Sequence, residues 1–299
     1  MKKLTLCFLI MLFALLPLNH EWSYGEKNTR EKDTLRILTS FYPIYIAALN
    51  VTKNVPGVAV TNLTPLLTGC LHDYSLTTKD MKKFAGSDIF VANGAGMESF
   101  LDRTIKRYPA VKVIQLSKGI LLIKGAGDEE NNPHVWVSIS NTIIQVKNLN
   151  DALQKIDPDH KIMYQKNTDE YVLQLETLRR KIHAALQPYQ GEKIVTFHEA
   201  FPYFAQEFGL EIATVVEREP GSQPNARELA ETIELVKRSK IKALFAEPQY
   251  PALSAQTIAQ ETGARVYILD PAVTGPEQAD AYLRIMEKNL ATLEKALKN

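Results

Sequence analysis

The sequence predicts an α/β protein made of two similar parallel-sheet domains joined by one long helix. Three observations carry that prediction. β-rich segments alternate with helical ones in both halves of the chain. Between the halves, the run from Asp159 to Gln187 contains neither Gly nor Pro and keeps helical periodicity. A short echo also links the halves: Phe41-Tyr42-Pro43 with Ala47 in the first, Phe201-Pro202-Tyr203 with Ala205 in the second.

In order along the chain, Leu35 to Ser40 reads as a first strand, followed by a helical stretch from Pro43 to Lys53. Val58 to Leu63 is a second strand, Thr77 to Ala85 a helix and Ile89 to Ala92 a short β-rich run. Glu98 to Arg107 reads as helix and Val111 to Gln115 as strand. In the central run, Tyr171, Leu175, Leu178, Ile182 and Leu186 are separated by 4, 3, 4 and 4 positions, which is helical spacing. Pro158 opens the run and Pro188 follows it, where each is expected at a helix boundary. A helix over Asp159–Gln187 would be about 43 Å long at roughly 1.5 Å per residue. Strands then return at Ile194–Phe197, Glu211–Val216, Ala243–Ala246 and Val266–Leu269. Helices are expected at Ala226–Ser239, capped by Asn225, at Ala252–Thr262 before Gly263, and at Gln278–Lys298. The expected domains are therefore 34–158 and 191–299, with the connecting helix at 159–187.

Residues 1–25 differ from the rest. Lys2 and Lys3 precede an apolar run from Leu4 to Leu18, and Ser23-Tyr24-Gly25 offers small residues at a cleavage point, the layout of a secretory signal peptide. The run is shorter than the roughly 20 residues of a membrane span. Of the two cysteines, Cys7 lies inside this run without a lipobox around it, so only Cys70 is expected in the mature chain, with no internal disulfide. These features point to a protein of the bacterial periplasm without a lipid anchor.

The 299 residues include 35 basic and 34 acidic ones, a formal net charge of +1. That balance gives no electrostatic reason to expect nucleic acid or an anionic membrane surface as a partner. The six histidines are more informative. His20 belongs to the leader, and His160 and His183 lie among polar neighbours of the long helix, where they are expected to face solvent. The other three lie in loops after or between strands: His72 in Thr68-Gly69-Cys70-Leu71-His72-Asp73-Tyr74, His134 in Asn131-Asn132-Pro133-His134-Val135-Trp136, and His198 directly after Ile194-Val195-Thr196-Phe197. Parallel sheets bind ligands beyond the carboxyl ends of their strands, so these loops are suited to a metal site. Asp270, at another strand exit and before Pro271, is the carboxylate expected to close a tetrahedral set. Glu247, before Pro248, competes for that place and is read instead as orienting His198 by accepting its free ring N–H. Cys70 is read as a neutral packing thiol, with a soft extra ligand as the alternative.

The loops Gly69-Cys70-Leu71-His72-Asp73-Tyr74, Asn132-Pro133-His134-Val135-Trp136, Phe197-His198-Glu199-Ala200-Phe201 and Phe245-Ala246-Glu247-Pro248-Gln249 closely resemble those of the metal-binding subunits of zinc and manganese ABC importers. The resemblance runs from about residue 35 to 299 and includes order and spacing. It implies a two-domain binding protein with a rigid connecting helix and a metal site in the interdomain cleft, serving an importer permease in the inner membrane; a monomer is expected, though the sequence carries no signal of oligomeric state. His72 and His134 would come from the first domain, and His198 and Asp270 from the second. Manganese-specific relatives tend to carry a carboxylate where this chain has His198, and three imidazoles with one carboxylate suit zinc better than manganese. Zn2+ is thus the expected cargo and Mn2+ (or iron) the alternative. Many zinc-type relatives also have a long His-rich loop before the second ligand, whereas Lys124 to Asn132 is short and holds no histidine. A zinc hydrolase with Glu199 as general base is the competing class, but no His-Glu-x-x-His pairing is present and Asp270 would fill the position water needs, so no enzymatic activity is expected.

Overall fold

A computed structural model describes residues 34–71, 74–125, 131–216 and 224–298. The expected leader and His72 lie outside the described residues, as does the acidic stretch around Glu129. From Thr34 onward the chain forms one compact unit.

The first half contains β1 (Leu35–Thr39), α1 (Tyr42–Val51), β2 (Val58–Asn62), α2 (Thr78–Ala85), β3 (Ile89–Ala92), α3 (Asp102–Arg107), β4 (Lys112–Gln115) and α4 (Ile139–Ile156). α5 (Lys161–Leu186) crosses to the second half. There follow β5 (Lys193–Thr196), α6 (Pro202–Phe208), β6 (Glu211–Val215), α7 (Ala226–Ser239), β7 (Ala243–Ala246), α8 (Leu253–Thr262), β8 (Arg265–Ile268) and α9 (Ala281–Leu297). Both sheets are parallel, ordered β2-β1-β3-β4 and β6-β5-β7-β8, so the same connectivity occurs twice. In each, the strand order reverses next to the first strand, between β1 and β3 and between β5 and β7, the point whose carboxyl ends favour ligand binding in such sheets.

Most elements match the sequence pattern, and the departures have local causes. The long helix has 26 residues, with tight 3-10 turns at Pro158–His160 and Gln187–Tyr189 taking up its expected ends. Each of those turns holds a proline, which lacks the N–H that a continuous α-helix would need. The helix expected from Glu98 begins as a 3-10 turn at Ser99–Leu101 and becomes α-helical only at Asp102. α4 has no counterpart in the sequence reading, although Ser138 caps it by accepting a hydrogen bond from Asn141 N at 3.1 Å. Its buried face mixes Ile143, Val146, Leu149 and Leu153 with Thr142, Gln145 and Asn150, and those polar residues blur the apolar stripe. Elsewhere local signals are clear. α7 starts on a reciprocal Asn225/Glu228 capping box, and α8 ends on Gly263 at φ 75°, left-handed backbone that glycine adopts without strain.

One continuous core joins the halves. Residues of α1, α4, α5 and α9 pack together with the inner faces of both sheets, and α1 is buried on nearly every side. Polar contacts reinforce that layer across the chain midpoint. The Tyr42 hydroxyl donates to Pro276 O at 2.9 Å, Asn50 Nδ2 to Ala279 O at 2.7 Å and Trp136 Nε1 to Pro271 O at 2.8 Å. No helix of the described residues is long and apolar enough to cross a membrane.

Candidate metal centre

Three loops, those carrying Cys70, His134 and His198, bring their side chains together. The first follows β2. Leu63 N bonds Thr39 O at 2.8 Å and Asn62 Nδ2 bonds Thr64 O at 2.9 Å, which turns the chain back over the sheet. Gly69 sits at φ +87°, a left-handed conformation in which a side chain would be strained, and a Cβ there would stand 3.6 Å from the Tyr250 hydroxyl of the opposite lobe. The next residue, Cys70, is buried.

The second loop carries His134. Asn93, at the end of β3, donates from Nδ2 to Pro133 O at 2.9 Å, and its own Oδ1 accepts from Gln145 Nε2 at 2.8 Å. The Glu98 carboxylate accepts the N–H groups of Asn93 and Gly94 at 2.7 and 3.0 Å. Burial pushes the Glu98 carboxyl up to about 7, and the hydrogen bonds it accepts pull only partly the other way. From the second lobe, the Tyr203 hydroxyl donates to Asn132 O and Asn132 Nδ2 donates to Glu199 O, both at 2.8 Å. Asn132 Oδ1 then accepts from His134 N at 2.9 Å and faces His134 Nδ1 at 3.1 Å. An amide oxygen cannot donate, so Nδ1 carries the ring proton and Nε2 keeps its lone pair.

The third loop leaves β5 at His198. Its Nδ1 lies 3.1 Å from Glu247 Oε1, at the end of β7, and both side chains are buried. The carboxylate accepts the Nδ1 proton, so here too Nε2 keeps its lone pair. The rings of His134 and His198 meet edge to face with centroids 4.7 Å apart. Cys70 Sγ is 3.4 Å from His134 Nε2, and the ligand-capable atoms of Cys70, His134 and His198 all lie within 4.8 Å of one another.

The structure thus brings together Cys70, His134, His198 and, behind His198, Glu247. Asp270 stands outside the three-residue cluster. It leaves β8 held by Asn289, whose side chain bonds both the N–H and the carbonyl of Asp270, and its Oδ1 accepts from Ala272 N at 2.9 Å. Burial raises the Asp270 carboxyl above its ordinary value, Glu247 adds to that, and Ala272 N–H and the Gln249 amide oppose it. His183 is exposed, as expected, with its ring against Phe208. His160 is half-buried, its Nδ1 2.8 Å from Asp157. Sequence reasoning missed Asn132, although its place two residues before His134 was a signal. It also missed the Asn93–Glu98–Gln145 network, whose members only the fold brings together.

With this geometry in hand, comparison with known proteins is direct. The zinc-binding lipoprotein AdcA of Streptococcus pneumoniae is 29% identical over 98% of this chain, and the chain spans 61% of that protein's length. The high-affinity zinc uptake system protein ZnuA of Bacillus subtilis is 29% identical, covering 89% of this chain and 88% of its own. Among solved structures, the solute-binding protein FpvC of Pseudomonas aeruginosa in complex with Mn2+ superposes with a TM-score of 0.80 at 30% identity, over 89% of this chain and 98% of FpvC. The family model described as zinc-uptake complex component A, periplasmic, matches residues 37–296, and the chain belongs to that family.

Proposed function

We propose that this protein captures a divalent cation, zinc foremost, in the cleft between its two sheets and delivers it to the permease of an ABC importer. The observation that carries the reading is the pair of buried imidazoles, His134 and His198. Each has an acceptor on its Nδ1 side that leaves the lone pair on Nε2, and ligand-capable atoms of the two rings lie within 4.8 Å of one another. His72 is the third imidazole of the proposed site, on the strength of its motif, and Asp270 is the carboxylate candidate for the fourth place. Glu247 holds the His198 ring in its binding tautomer.

A site of this kind suits capture and release. Neutral imidazoles bind a borderline cation tightly and give it up as they protonate. The contacts across the midpoint, from Tyr42 to Pro276 and from Trp136 to Pro271, favour small local movements of the loops over a wide hinge. Manganese is the alternative cargo, favoured by the FpvC relative solved with Mn2+. The family consists of transport components, which favours binding over hydrolysis. The family's description supports action on the periplasmic side. The pneumococcal relative is a lipoprotein, so the expectation of an unanchored chain draws no support from it.

The test is calorimetric titration of chelator-stripped protein with zinc. One site per chain, with a dissociation constant well below micromolar, is expected. Absence of any binding tighter than micromolar would sink the proposal.

A further inference from the structure

We propose that the sulfur of Cys70 is a ligand to the captured metal, so that the site offers a thiolate beside its imidazoles and is tuned to soft and borderline cations. The inference rests on the metal-capture reading above and assigns to sulfur the place for which Asp270 was the candidate.

Distance is the first argument. With metal–sulfur and metal–nitrogen bonds of about 2.3 and 2.05 Å, a tetrahedral zinc site separates the two donors by roughly 3.6 Å. The Cys70 Sγ to His134 Nε2 distance is 3.4 Å, close to that edge, and His198 completes a face of the same small polyhedron. Asp270 is outside the cluster, and its carboxylate is engaged by Ala272 N–H and Gln249.

Aim is the second. Just after Gly69, whose φ of +87° is left-handed backbone, the Cys70 side chain is buried with its Sγ against His134 Nε2. Without metal, the thiol donates S–H toward His134 Nε2, since Nδ1 of that ring already carries its proton against Asn132. On capture the S–H bond breaks, its electron pair becomes the bond to the metal, and the proton leaves to solvent. His134 stays neutral and turns the same Nε2 lone pair from the thiol to the ion.

Charge is the third. A buried divalent cation needs neighbouring negative charge to offset its desolvation. The Cys70 thiolate and the Glu247 carboxylate behind His198 supply two such charges without drawing Asp270 away from Ala272. A thiolate also shifts preference toward zinc and away from manganese, which favours oxygen donors.

The experiment loads the full-length protein with Co2+ as a spectroscopic stand-in for zinc and records its electronic spectrum. It then measures zinc and manganese affinities of wild type, Cys70→Ser and Cys70→Ala by competition with a chromogenic chelator. A near-ultraviolet sulfur-to-cobalt charge-transfer band is expected in wild type, and should vanish in both variants while visible d–d bands remain. Zinc affinity should fall at least about tenfold, and manganese affinity should change by less than about threefold. Cobalt bound by wild type with no charge-transfer band overturns the assignment of Cys70 and leaves metal capture standing. Failure of wild type to bind zinc or cobalt at all overturns both. The wild-type spectrum needs no variant, so misfolding of either substitution cannot obscure the result.

Discussion

The His198 imidazole and the Glu247 carboxylate face each other at 3.1 Å with both side chains buried. They come from adjacent strands, β5 and β7, at the point where the strand order reverses. The carboxylate can accept only while Nδ1 holds the proton, so it selects the ring tautomer whose Nε2 carries the lone pair. Glu247→Ala should therefore weaken zinc binding by about 10–100-fold, the range for partners that orient metal-ligating histidines. Glu247→Gln retains an acceptor and should lose less. Chelator competition on the two variants checks the order, and equal losses would show that the carboxylate acts through its charge instead.

Asn132 plays the corresponding part for His134 and also ties the lobes through Glu199 O. Asn132→Ala should lower zinc affinity by about tenfold and also reduce thermal stability, because the buried Tyr203 and Glu199 contacts lose their geometry. Asn132→Asp keeps an acceptor toward Nδ1 and should recover most of the affinity but little of the stability. Parallel melting and competition measurements separate the two effects.

The Glu98 carboxyl offers a pH signature. Its folded value, raised by burial from 4.5 to about 7, means that the fold favours the protonated form. The ionised group therefore costs stability above about pH 7. That cost is relieved as pH falls from about 7 toward 4.5, with no further gain below. At ~1.4 kcal/mol per pKa unit the full swing is roughly 3 kcal/mol. Urea unfolding of metal-free wild type and Glu98→Gln between pH 8 and 5 should show the wild-type protein gaining stability relative to the variant on acidification. Parallel curves would show that Glu98 titrates as an ordinary carboxyl.

How much of this was legible beforehand depends on whether the signal is local. The Asn225-to-Glu228 cap, the Pro158 and Pro188 boundaries and the strands ending at His198 and Glu247 are written in neighbouring residues, and the fold follows them. α4 was missed because Thr142, Gln145 and Asn150 occupy positions on its buried face where an apolar stripe would otherwise have marked the helix. Two of those residues have a partner remote in sequence. Gln145 is paired with Asn93, 52 positions away, and Thr142 with Tyr282, 140 away. His198 was readable as a strand-exit histidine and His134 as a loop histidine, but the approach of Cys70 to His134 joins residues 64 positions apart beside a left-handed glycine. No local pattern announces that combination.

The last prediction concerns what holds the two lobes in register. Glu207, on α6 of the second lobe, reaches the start of α4 in the first. Its carboxylate accepts from Ser138 Oγ at 2.6 Å, Ser140 Oγ at 2.6 Å and Ser140 N at 3.1 Å. Arg179 from α5 adds a bond to Ser140 Oγ at 3.0 Å. A carboxylate at a helix N-terminus gains from the exposed N–H groups there and from the helix dipole, together about 1–2 kcal/mol in a partly buried setting. Glu207→Ala removes that anchor and leaves two serine hydroxyls without their acceptor. It should lower stability by about 1–3 kcal/mol, seen as a melting temperature lower by several degrees. The anchor lies on α4 just after the His134 loop, so loosening it should also speed zinc release more than it slows zinc uptake. Stopped-flow exchange against a chelator reads that difference. An unchanged release rate alongside the expected loss of stability would show that the lobes keep the site aligned through the core alone.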